Sequence, residues 1–166
     1  LPFAEDSFDV TLSCVGHMFA QPPDTAAAEL VRVTRPGGRI AFTSWTPTSV
    51  VPAMVMAMQP YLPDDDDESP PPVLWGDPDV VAGRLGDGVT DLTTETETVD
   101  QLELSPEHAA ERAIEDSGMF ILAMEAADPA DRPAIREAAT ETIREYFDDS
   151  TNTMPMEYLL TTATVA

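Results

Sequence analysis

The sequence predicts an α/β fold built on a parallel sheet, and three observations carry that reading. Two apolar runs, residues 8–15 and 40–45, have the length of strands, with apolar side chains on both faces as a buried parallel strand requires. Between them, residues 24–34 place Ala27, Leu30, Val31 and Thr34 on one helical face. Pro36-Gly37-Gly38 then stops the helix and turns the chain. A strand, helix and strand within 38 residues make a right-handed βαβ crossover, which forces the two strands to run parallel.

The elements follow in order. Leu1-Pro2-Phe3 leads into a polar turn at Ala4-Glu5-Asp6-Ser7, and the first strand begins at Phe8. Asp24, after Pro22-Pro23, is placed as the helix N-cap. Residues 49–61 read as an apolar helix carrying Val50, Val51, Met54, Met58 and Tyr61, and 62–75 as an acidic, proline-rich loop. Asp77 or Pro78 opens a short helix that ends in the Gly86-Asp87-Gly88 turn. Residues 90–104 alternate threonine and glutamate with apolar positions and predict a long strand with one wet side. Helices are expected over 106–127 and 129–149, each started by a proline, and a last strand over 157–165. No internal repeat is present, and one domain is expected over 1–166: a βαβ core at 1–47, then helices and strands at 48–166.

Charge narrows the partners. Thirty-one acidic residues face eight basic ones, all arginine, for a net charge of −23. Residues 1–45 carry only −2 of this, so the first segment is expected to be mostly buried. Nucleic acid and anionic membrane are excluded as partners, since phosphate binding needs cationic neutralisation. The composition reads as adaptation to concentrated salt, where ions screen self-repulsion. Circular dichroism is accordingly expected to show stronger folding as potassium chloride rises toward molar levels; equal stability at low and high salt contradicts the reading. Asp64-Asp65-Asp66-Asp67 lacks the spaced ligands of a calcium loop and is read as solvated. One cysteine, Cys14, allows neither an intrachain disulfide nor a thiolate metal site. Neither a signal peptide nor an apolar run of membrane-spanning length is evident, so a cytoplasmic location is expected.

Four short motifs, in order and at consistent spacing, resemble the class I S-adenosylmethionine-dependent methyltransferases. They are Leu1-Pro2-Phe3, Ser7-Phe8-Asp9-Val10, Glu29-Leu30-Val31-Arg32-Val33 and Arg35-Pro36-Gly37-Gly38-Arg39. Thr34 stands where the family usually has leucine. Weaker likeness continues through Trp75-Gly76 and Glu157-Tyr158-Leu159. The resemblance implies the second half of a Rossmann-like, doubly wound sheet: residues 8–15 as strand four, 40–45 as strand five, and an antiparallel last strand beside strand five. The family's glycine-rich cofactor loop and ribose-binding acid would then lie before Leu1, leaving 8–15 as an edge open to self-association.

Ligands of open parallel sheets bind beyond the carboxyl ends of the strands, which places Ser13, Cys14, Val15 and His17 at the crevice. The resemblance makes them contacts for S-adenosylmethionine, with Leu1 lining the adenine pocket and Phe3 in the core. His17 is alternatively a general base. Methyl transfer is an in-line displacement on an activated sulfonium that needs alignment above all, so no catalytic residue is assigned. Met54, Met56 and Met58 are read as adaptable packing beside an apolar substrate cavity. Glu29 and Arg32 are expected to form an exposed ion pair. Methylation of a small molecule by the parent protein is the implied activity; a non-catalytic remnant kept as an interaction domain is the alternative. A nicotinamide-dependent oxidoreductase with a tyrosine–lysine pair is excluded because no lysine occurs.

Overall fold

Thr11 and Thr34 show how the first strand is held. Thr34 Oγ1 donates to the Leu30 carbonyl at 2.7 Å, so it accepts from Thr11 Oγ1 at 2.6 Å. The threonine at the position of the family's usual leucine is fully buried and bonded on both sides. The computed structural model that shows this describes residues 1–61 and 70–166; the acidic run 64–67 lies outside the described residues.

Four strands form one sheet, in the order β1 (Phe8–Cys14), β2 (Thr34–Trp45), β4 (Thr153–Val165), β3 (Val89–Leu102). β1 is parallel to β2 in a register that pairs Leu12 with Ala41 and Cys14 with Thr43. β4 is antiparallel to β2, pairing Phe42 with Thr161. β3 runs antiparallel beside β4, since Gly88 O accepts from Ala166 N while Thr93 and Thr162 share a hydroxyl contact at 2.8 Å. β1 is an edge beside β2, as expected.

Two compact units divide the chain. Among the described residues one takes 1–47, 70–97 and 158–166, the other 48–61 and 98–157. The first unit buries Ile40, Phe42, Leu159 and Val165 from the sheet against Ala27 and Leu30 of α1 (Pro23–Val33) and Val81 and Leu85 of α3 (Pro78–Leu85). The second packs α2 (Val50–Met58), α4 (Pro106–Asp116), α5 (Gly118–Ala126) and α6 (Arg132–Tyr146) through Met54, Met58, Ile114, Ile135 and Ile143. No helix among the described residues is long and apolar enough to cross a membrane.

Several expectations are corrected. β1 is mostly exposed: strand alternation turns Thr11 and Ser13 inward and leaves Val10 and Leu12 outward. Phe3 is also exposed, edge-on to Phe8 with ring centroids 5.0 Å apart. Asp24 does not cap α1; Pro22 holds the cap position and Asp24 lies in the first turn. Residues 106–127 form two helices, because Ser117 takes an extended conformation between α4 and α5. The last helix begins at Arg132, with Pro133 in its first turn. The Glu29–Arg32 pair forms, with both side chains half-buried where an exposed pair was expected. Met54 and Met58 are core residues and Met56 is exposed.

Pro36-Gly37-Gly38 does turn the chain, and its geometry explains the glycines. The β1–β2 register jumps here from Phe8–Thr34 to Val10–Arg39, so the loop bulges out of the ladder. Gly37 has φ +73°, and a Cβ on Gly38 would lie 2.7–2.9 Å from Arg35 O, Thr34 Cγ2 and Asp9 O. Arg35 ties the bulge to Asp9 of β1.

Candidate functional site

β1 ends at Cys14 beside Thr43, close to the end of β2 at Trp45, and the chain leaves the sheet after Cys14. Val15 N donates to Thr43 O at 3.0 Å while Val15 itself adopts φ +61°. That conformation is costly for a β-branched residue and persists only where surrounding contacts over-determine it. A short 3₁₀ turn, Gly16–Phe19, follows. Cys14 is exposed, with Thr43 Oγ1 3.8 Å from its sulfur. The backbone bend therefore sits at the carboxyl ends of two parallel strands, where open α/β sheets take their ligands.

His17 lies beneath this rim and not on it. Its residue exposure is 8%, and its ring lies 4.3 Å from Phe42 and 4.6 Å from Trp75 between centroids. Ser13 Oγ accepts from His17 N at 3.0 Å and lies 3.1 Å from Nδ1; Ser44 Oγ lies 3.3 Å from Nε2. Arg84 stacks over the Trp75 ring, its guanidinium carbon 4.6 Å from the centroid. Burial first, and then the charge of Arg84, pull the His17 pKa from its ordinary 6.5 to about 4. The imidazole is neutral at pH 7, and both ring nitrogens face hydroxyls of their own unit. That arrangement bolts the 3₁₀ turn to β2 and leaves the side chain poorly placed to act as a base on a ligand.

The remaining sequence-predicted residues divide. Ser13 is half-buried and held by His17, while Leu1 is exposed near the start of β1. Arg32 NH1 donates to Phe3 O at 2.9 Å and NH2 to Leu1 O at 3.3 Å, so the Glu29–Arg32 pair anchors the leading segment to α1. Sequence reasoning missed Ser44, Trp75 and Arg84 as neighbours of His17. Trp75-Gly76 was visible as a motif, but no periodicity joins position 17 to positions 75 and 84. No group of three or more potential ligand side chains is placed to hold a metal among the described residues.

A methyltransferase-domain family model matches residues 1–42, the stretch that builds β1, α1 and the start of β2. The YcgJ protein of Bacillus subtilis has the same fold at TM-score 0.51 and 15% identity, aligned over 100% of this chain and 68% of that one. Residues 1–42 therefore carry the sequence signature of a methyltransferase domain, and the chain has a Rossmann-like methyltransferase fold. Two uncharacterised Mycobacterium tuberculosis proteins are similar to it. One is 49% identical over 94 residues, covering 57% of this chain and 34% of that protein. The other is 36% identical over 177 residues, covering 98% of this chain and 60% of that protein. The chain thus spans between about a third and three-fifths of these relatives' length. Its β1–β2–β4 arrangement is the strand-four, strand-five and antiparallel last-strand order that the motifs imply.

Proposed function

We propose that the protein containing this chain transfers a methyl group from S-adenosylmethionine to a small molecule, with the cofactor set against the carboxyl ends of β1 and β2. The observation that carries this is the bend at Cys14-Val15, a strained turn at the end of two parallel strands within the residues matched by the methyltransferase model. The residues present fit part of the cofactor. Backbone at Ser13, Cys14 and Val15 suits an adenosine, and His17 contributes by holding the turn. When bound, the cofactor supplies a methyl group on a positively charged sulfur; these residues orient it and exclude water from it.

Completion of the site rests on further residues. No glycine-rich loop follows a strand anywhere in residues 1–166, and Phe8, Val10 and Leu12 leave one face of β1 exposed. In a doubly wound sheet both faces are covered. The chain of residues 1–166 by itself is therefore inactive under this proposal, and activity belongs to a longer protein. Calorimetric titration of S-adenosylmethionine into residues 1–166 is expected to give no saturable heat near micromolar concentration, while a chain extended on the amino-terminal side binds. Tight binding by residues 1–166 alone overturns the division of the site.

A further inference from the structure

The end of β3 carries an inverted polarity pattern. Leu102 and Leu104 are 75% and 79% exposed, while Glu103 between them is 5% exposed. Glutamate is rarely buried, and a carboxylate goes inside only where donors and cations satisfy it. Here they come from β3 and α4. His108 Nδ1 lies 2.7 Å from one Glu103 oxygen; Arg112 NH1, at 3.0 Å, and Gln101 Nε2 donate to the other. Ser105 accepts from His108 N at 3.2 Å, fixing the point at which the imidazole leaves the first turn of α4. Glu103, His108, Leu102, Leu104, Thr151 and Asn152 line an open surface pocket of about 450 Å³.

The chemistry of that pocket follows from its protons. A carboxylate oxygen accepts, so His108 presents Nδ1–H to Glu103, and in that tautomer Nε2 is an acceptor. Nε2 has no hydrogen-bond partner among the described residues, and the His108 side chain is 41% exposed. Arg112 is already engaged by Glu103 and Asp116, so no free cation faces an anionic ligand from the lining. We propose that this pocket binds a small phenol-like molecule, its hydroxyl donating to His108 Nε2 and its ring lying on Leu102 and Leu104. Glu103 is a positioning residue that fixes the tautomer. The proposal concerns binding and stands on this unit's geometry alone.

A cofactor-free titration tests it. With p-cresol as probe and the full chain labelled with ¹⁵N-histidine, the His108 Nε2 resonance is expected to shift saturably at millimolar concentration. The methyl ether, 4-methylanisole, keeps the ring and loses the donor, and should bind about five- to tenfold more weakly. His108→Gln, at a partly exposed helical position, should weaken p-cresol by a similar factor with unchanged circular dichroism. Glu103→Gln should move the ¹⁵N signature toward the other tautomer and weaken p-cresol as well. Absence of a saturable shift, equal binding of the ether, or unchanged binding by His108→Gln overturns the proposal. Methyl-transfer activity, present or absent, does not bear on it.

Discussion

Replacing Gly76 by alanine is expected to destabilise the sheet unit by about 3–5 kcal/mol, the range for displacing a large buried aromatic. A Cβ at this position would lie 2.0 Å from Trp45 O, 2.7 Å from Thr46 Cα and 2.8 Å from Trp45 C. All three are backbone atoms, so no side-chain rotation relieves the overlap. The turn Pro72–Gly76 must move off the end of β2 and take with it Trp75, which is fully buried against His17 and Phe42. Gly83 in α3 supplies the opposite sign, because nothing lies within 4 Å of its missing Cβ. Gly83→Ala should stabilise by about 0.5–1 kcal/mol through helix propensity. Urea unfolding of the two variants reads both; a Gly76→Ala midpoint equal to that of the unsubstituted chain contradicts the packing described for Trp75.

Acid should destabilise the same unit through His17. Its folded pKa, about 4, lies below the ordinary 6.5, so between those values the unfolded chain binds the extra proton. The stability is therefore fully present above about pH 6.5 and lost as pH falls toward 4. The loss between about pH 7 and pH 5 amounts to about 2 kcal/mol. The carboxylates of Glu29, Glu107 and Asp148 are held low by their hydrogen-bond donors, and what they contribute is lost only below the ordinary carboxylate range. The His17 limb is thus separable. His17→Gln should flatten unfolding free energy between pH 7 and 5 while lowering its plateau; a variant with an undiminished slope assigns that limb to another group.

The parallel pair of strands was legible because strand, helix and glycine turn follow one another within a short stretch whose periods change cleanly. Its edge position followed from the family's strand order. The burial of β1 was not legible: Val10 and Leu12 look like core, and only the pairing of Thr11 with Thr34 shows which side faces α1. The early start of β4 was hidden by Pro155, which lacks the donor a central strand needs. Ser117-Gly118 did carry a signal for the break between α4 and α5, overridden by the apolar run after it. Cys14 and Val15 could be placed at the sheet's rim from the strand boundary alone. The setting of His17 could not, since Trp75 and Arg84 come from distant positions. Glu103 ran against the sequence pattern altogether, because alternation predicts Leu102 and Leu104 inside.

Cys14 offers the most direct test that the end of β1 faces the cofactor, since it is the single cysteine of the chain and is exposed beside Val15. In a chain extended on the amino-terminal side, and carrying no other reactive thiol, its alkylation by iodoacetamide can be followed with and without S-adenosylhomocysteine. Saturating ligand is expected to slow alkylation of Cys14 at least about tenfold, with a midpoint equal to the calorimetric dissociation constant. Ligand that binds by calorimetry yet leaves the alkylation rate of Cys14 unchanged would place the cofactor elsewhere and contradict the account.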